Sequence, residues 1–140
     1  MTVIVIDTSA FANMILKEKN WREIADILLS GSNVCSLDMM VTETANVIWK
    51  HVNRYKRLSI EQGWKLMEAV QEAINAGGIL IEGNGVYLNS ALEIAFQHDI
   101  TVYDALFIAQ AKEKGATLLT SDKKQREVAE NIGIEVLFVP

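Results

Sequence analysis

Four carboxylates, Asp7, Glu43, Asp104 and Asp122, lie far apart in the chain, yet each stands where a hydrophobic stretch stops and a helix begins or has just begun. Their surroundings are apolar or small: Val3-Ile4-Val5-Ile6-Asp7-Thr8, Val41-Thr42-Glu43-Thr44-Ala45, Val102-Tyr103-Asp104-Ala105-Leu106-Phe107 and Leu118-Leu119-Thr120-Ser121-Asp122. Carboxylates gathered at one spot repel one another unless a hard cation sits between them. Oxygen ligands with no histidine or cysteine nearby suit Mg²⁺ or Mn²⁺ rather than zinc. The chemistry indicated is that of a metal-dependent enzyme site. Each acid also has a structural reading. Asp7 and Asp122 can cap the helices after them, Thr101 to Asp104 has capping-box spacing, and Glu43 can be a surface residue in an early helical turn.

Such acids meet only if the elements carrying them end at one place. Three apolar runs read as strands buried on both faces, Val3–Ile6, Ala116–Thr120 and Glu135–Val139, with Asn33–Ser36 and Ile79–Glu82 as a fourth and fifth. Helical patterns fill the intervals: Ala10–Leu16, Trp21–Leu29, Met39 to about Asn53, Ser59–Ala76, Val86–Gln97, Tyr103–Lys114 and Lys123–Asn131. Gly115 and Gly133 stand where helix C-terminal glycines belong. Strands alternating with helices predict a parallel α/β sheet with helices on both faces. The carboxyl ends of such strands line the ligand crevice, so Asp7 and Asp122 are both expected to point into it. Asp104 opens a helix that is apolar almost all round and must therefore be central. Asn46 lies one turn beyond Glu43 and shares its face.

The 140 residues are half hydrophobic, enough for one domain over 1–140 with a full core. A single cysteine, Cys35, excludes an internal disulfide or a cysteine zinc site and reads as a buried apolar group in a reducing compartment. No segment approaches the ~18 continuous apolar residues of a membrane span, and Val3–Ile6 is too short for a signal-peptide core. The expectation is a soluble cytoplasmic protein. A net charge of -5 argues against nucleic-acid binding by bulk electrostatics, although bound metal would offset part of it.

Together these motifs resemble a PIN domain ribonuclease of the VapC toxin type. The residues that carry the resemblance are Ile6-Asp7-Thr8-Ser9-Ala10, Glu43-Thr44-Ala45-Asn46-Val47, Val102-Tyr103-Asp104-Ala105-Leu106 and Leu118-Leu119-Thr120-Ser121-Asp122, in the family's order and across essentially the whole chain. The resemblance implies a five-stranded parallel sheet in an α/β/α sandwich and a Mg²⁺ or Mn²⁺ site at Asp7, Glu43, Asp104 and Asp122. It also implies RNA cleavage, a homodimer and neutralisation by a small VapB-like antitoxin. Ser9 and Thr120 match hydroxyl positions that support the site. One departure is Lys124, at a position where many relatives carry an acid or an amide.

The stretch Lys50-His51-Val52-Asn53-Arg54-Tyr55-Lys56-Arg57 is the densest basic segment, and Lys50 and Arg54 come after Glu43 along roughly one helix side. Its structural reading is a solvated helix end with cations placed for the dipole. Lys123 and Lys124 adjoin Asp122 directly, giving a second basic rim around the acidic centre. The expected reaction is phosphodiester hydrolysis, in which a cation lowers the pKa of water and neutralises charge at the phosphate, while Glu43 helps to position the water. An aspartate-nucleophile phosphatase built on Asp7 ranks lower because position 9 is Ser rather than Asp. A non-catalytic binding module has no use for the repulsion of all four acids.

Overall fold

The computed structural model describes residues 2–140. The chain runs β1 (Val3–Ile6), α1 (Thr8–Ile15), α2 (Trp21–Leu28), β2 (Asn33–Leu37) and α3 (Asp38–Trp49), which passes into a π-helical turn at Lys50–Arg54. It continues through α4 (Ile60–Asn75), β3 (Leu80–Glu82), a 3-10 turn (Asn84–Tyr87), α5 (Leu88–His98), α6 (Val102–Lys114), β4 (Thr117–Thr120), α7 (Lys123–Ile132) and β5 (Val136–Phe138). Among the described residues the strands form one five-stranded sheet, every pairing parallel, in the order β3-β2-β1-β4-β5. The order reverses at β1, so the crevice at the carboxyl edge opens between β1 and β4. Those two strands are also the most deeply buried. Val5, Ile6, Leu118 and Leu119 have no accessible surface, and burial of consecutive residues means that both faces of the sheet are covered.

Local chemistry explains the helix limits. Ser59 and Gln62 form a reciprocal capping box that starts α4, and the Thr101 hydroxyl accepts from the Asp104 N–H to start α6. Gly115 ends α6 in the left-handed region at φ 61°. Gly63 has a different role: a Cβ there would meet Val52 at 3.0 Å, so its bareness lets α4 lie close against the π-turn. Helix α6 is buried from Ala105 to Ala111 and packs across β2, β1 and β4, which is the central position its composition predicts. Cys35 is buried, its thiol directed at the Ile4 carbonyl.

Two expectations need correction. The last strand is not buried on both faces. Val136 and Phe138 are half-buried and Leu137 is exposed, because β5 is a sheet edge. The helix expected from Met39 to about Asn53 changes to π geometry at Lys50, which rotates the residues beyond that point out of the regular helical phase. Arg54 accordingly stacks over Trp49, its guanidinium carbon 5.2 Å from the ring centroid. The apolar stripes of α3 and α4 are only partly used in the core. Ile60 and Trp64 are exposed, and with Ile48, Trp49, Val52 and Met67 they line a groove of about 370 Å³. Among the described residues no helix is long and apolar enough to cross a membrane.

Candidate active site

Asp7 directly succeeds the buried strand β1 and is itself only 4 % exposed. Its backbone N–H donates to the Leu119 carbonyl at 3.1 Å, extending the β1–β4 ladder by one residue and fixing the side chain at the switch point. One carboxylate oxygen, Oδ1, accepts from the Ser9 hydroxyl at 2.7 Å and from the Ala10 N–H at 3.0 Å, so Asp7 does cap α1. The other, Oδ2, accepts from the Thr120 hydroxyl. Burial nevertheless pushes its pKa up from 3.8 to about 6, outweighing the donors from Thr120, Ser9 and Ala10, and the charge of Asp122 pushes in the same direction.

The β4–α7 turn is bound into the same cradle. Thr120 Oγ1 accepts the Asp122 N–H at 3.0 Å, and Ser9 Oγ accepts the Ser121 N–H at 3.0 Å. Ser9 and Thr120 are 3.2 Å apart, so two hydroxyls from opposite ends of the sequence hold Asp7 and set the start of the turn that carries Asp122. Asp122 caps α7 by accepting from the Gln125 N–H at 3.0 Å. The Gln125 side chain then donates to the Asp104 carbonyl at 2.9 Å, tying the first turn of α6 to the first turn of α7. Glu43, on α3, accepts from the Thr8 hydroxyl at 2.6 Å, which links it to the residue next to Asp7.

The four acids therefore differ in how they are connected. Asp7 and Asp122 interact through space and share Thr120. Glu43 is joined to them through Thr8, and Asp104 only through its backbone and Gln125. The Asp104 side chain is exposed, and Asn46 is exposed one turn beyond Glu43. Among the described residues, no three Asp, Glu, His or Cys side chains stand close enough to share one ion. The chemistry of the donors still fits a hard divalent cation. Among the described residues the ion pairs are Lys114–Glu82 and Arg126–Glu130, and neither reaches Asp7, Glu43, Asp104 or Asp122. A buried carboxylate without a counter-charge is costly, and an oxygen-seeking cation is the natural remedy.

Thr8 and Gln125 play parts that the motifs alone did not assign, although both had legible signals. Thr8 adjoins Asp7, and Gln125 sits three residues beyond a capping aspartate. A fifth acid, Glu82, was also missed. It closes β3 and is surrounded by the Tyr87 hydroxyl at 2.8 Å, Gln110 Nε2 at 3.0 Å and Lys114 Nζ at 3.1 Å. Burial alone would raise its pKa, but these donors together hold it below the usual range. Of the basic residues, Lys50 and Arg54 are exposed on the π-turn, and Lys123 and Lys124 are exposed in the first turn of α7.

Comparison with known proteins agrees with this architecture. The chain is 29 % identical over 124 residues to Ribonuclease VapC3 of Pyrobaculum aerophilum, covering 89 % of this chain and 92 % of the relative. The fold is similar to Mycobacterium tuberculosis VapC20, a Sarcin-Ricin loop cleaving toxin, with a TM-score of 0.69 at 17 % identity over 89 % of this chain and 93 % of that one. It is also similar to VapBC2 from Rickettsia felis, solved bound to a DNA fragment from its promoter, with a TM-score of 0.68 at 14 % identity over 99 % of this chain and 100 % of that one. The family described as the PIN domain matches residues 4–131. With that match spanning most of its length, this chain belongs to the PIN domain family.

Proposed function

We propose that this protein is a metal-dependent ribonuclease hydrolysing RNA phosphodiester bonds, the toxin of a VapBC-type toxin–antitoxin pair, with Asp7, Glu43, Asp104 and Asp122 as the acids that draw together on Mg²⁺ or Mn²⁺ when it binds. The observation that carries the reading is Asp7: a buried carboxylate at the switch point, gripped by two hydroxyls, beside a second acid and, among the described residues, without an ion-pair partner. Likeness to proteins named as VapC ribonucleases and toxins supports the choice of RNA as substrate.

A divalent cation bound there supplies Lewis acidity toward the phosphate and offsets the negative charge of the acids. The residues of the chain do the rest. Ser9 and Thr120 each donate to one oxygen of Asp7, which fixes the direction of its lone pairs. The Thr8 hydroxyl holds one oxygen of Glu43 and leaves the other to orient an attacking water. In this reading the exposed cations Lys50 and Arg54, and Lys123 and Lys124 beside Asp122, hold the flanking phosphates.

Two protein partners belong to this reading. The groove between α3 and α4 has an apolar floor, and the adjoining segment 50–57 carries Lys50, Arg54, Lys56 and Arg57 with no acid. That combination suits an antitoxin segment that is apolar on one side and acidic at its margins. Leu88, Leu92 and Phe96 form an exposed stripe along α5 that suits a second copy of the chain.

Cleavage of mixed RNA by wild type and Asp7→Asn, in Mg²⁺, Mn²⁺ and EDTA, tests the proposal. Wild type should cut in either metal and not in EDTA. Asp7→Asn should cut in none while keeping its circular dichroism spectrum. Cleavage that persists in EDTA, or in the variant, contradicts it.

A further inference from the structure

Most aromatic rings in this protein already have partners. Trp49 lies under Arg54, Tyr55 under Arg57, Trp21 beside two cations and Phe138 under Arg126, while the buried Tyr87 donates to Glu82. Among the described residues Trp64, Phe96 and Tyr103 are exposed without such a partner, and Tyr103 is the one beside an acid of the candidate site. It is 68 % exposed, and among the described residues neither its ring nor its hydroxyl is engaged. It is also the residue immediately before Asp104, in the first turn of the central helix α6.

That turn is held on both sides. The Asp104 N–H donates to Thr101 Oγ1 at 3.2 Å, and the Asp104 carbonyl accepts from Gln125 Nε2 at 2.9 Å. The ring is thus mounted on backbone fixed to the α7 turn, and α7 opens with the exposed cations Lys123 and Lys124. An open ring on a pinned turn, adjoining Asp104 in sequence and tied through its backbone to the turn that carries Lys123 and Lys124, has the makings of a nucleobase subsite. Unpaired bases are held by stacking on aromatic faces, and tyrosine provides such a face at small cost in side-chain entropy.

We propose that Tyr103 is a stacking platform for one unpaired base of the RNA, beside the phosphate that is cut. The proposal rests on the ribonuclease reading for its substrate and adds a binding residue to that site. It does not make Tyr103 a catalytic residue.

Fluorescence anisotropy of short single-stranded RNA in EDTA reads the platform with cleavage switched off. Tyr103→Ala should bind roughly ten-fold or more weakly, and Tyr103→Phe, which keeps the ring, should stay within about two-fold of wild type. Scanning one abasic nucleotide along the RNA should find a position at which wild type and Tyr103→Ala bind equally. Equal binding of intact RNA by the two proteins overturns the proposal, as does a penalty that persists at every abasic position. A Tyr103→Ala variant whose mass in solution changes while its RNA affinity does not assigns the ring to a protein contact, which also overturns it. Wild type that stacks RNA in this way yet cuts none in Mn²⁺ supports the platform and contradicts the ribonuclease reading, so the two failures are distinguishable.

Discussion

Asp7 follows β1 and Glu82 ends β3, two strands of one sheet separated by β2, and the two acids have opposite electrostatic fates. Both are acids at the carboxyl edge, and burial pushes the pKa of each upward. Around Glu82 the protein supplies its own compensation: the Gln110 amide, the Tyr87 phenol and the Lys114 ammonium converge on one oxygen, and the carboxyl is held below its usual range. The phenol is perturbed in turn, since burial and the Glu82 charge push the Tyr87 pKa well up. Around Asp7 there are donors but, among the described residues, no cation, and the carboxyl rises to about 6. Glu82 is therefore a finished structural joint, whereas Asp7, on the proposed reading, takes its compensating charge from a bound cation. The difference lies chiefly in burial: hydrogen bonds from Gln110 and Tyr87, with Lys114 after them, outweigh desolvation at the partly exposed Glu82, whereas the donors around the more deeply buried Asp7 do not.

That contrast can be broken first through pH. The folded-state pKa of Asp7 lies above its unfolded value, so folding favours the protonated form. Its contribution to stability is complete below 3.8 and is lost as pH rises to about 6. At 1.36 kcal/mol per unit this is on the order of 3 kcal/mol, an upper figure for one buried group. Metal-free wild type should therefore gain stability on acidification from pH 7 toward 4 relative to Asp7→Asn, in urea melts monitored by circular dichroism. Parallel pH profiles for the two proteins would place Asp7 outside the low-dielectric interior.

The hydroxyl cradle comes next. Thr120→Val removes a donor that lowers the Asp7 pKa, so the acidic limb of the pH–rate profile should move to higher pH. Cleavage should fall by roughly 10- to 100-fold, the usual cost of removing a group that orients a ligand. A lower rate with an unmoved limb would assign Thr120 to packing alone. Glu82→Gln addresses the other half of the comparison. It should lower stability by about 1–2 kcal/mol, because Lys114 and Tyr87 lose a charged acceptor, and leave cleavage unaltered. Loss of cleavage by a fully folded Glu82→Gln protein would join the two regions into one site. The smallest effect is expected at the rim. Lys50→Ala with Arg54→Ala should flatten the salt dependence of RNA binding by roughly one unit of slope per lost contact. An unchanged slope would return both residues to a solvated helix end.

The strand-and-helix order and the emergence of Asp7 and Asp122 at strand ends are legible in sequence because period, turn residues and caps are local signals. Capping and site membership are not exclusive: Asp7 and Asp122 both cap helices while facing each other across the switch point. The edge status of β5 was not legible, since Val136-Leu137-Phe138 reads like any buried run until strand order is known. The π-turn at Lys50 was missed because uniform helical phase was assumed through the basic segment. Glu82 was missed because its partners Tyr87, Gln110 and Lys114 come from later elements, and only the folded sheet brings them to one oxygen.

If Asp7 is left without counter-charge because a divalent cation provides it, the metal must stabilise the fold through that residue. Thermal melts of wild type and Asp7→Asn at pH 7, with EDTA and with Mn²⁺, measure this. A ligand at ~100 times its dissociation constant adds about 2.7 kcal/mol, so Mn²⁺ should raise the wild-type Tm clearly. Asp7→Asn should melt at least as high as wild type in EDTA and gain little from Mn²⁺. An Asp7→Asn protein stabilised by Mn²⁺ as much as wild type, or a wild type that Mn²⁺ does not stabilise, would remove the cation from Asp7.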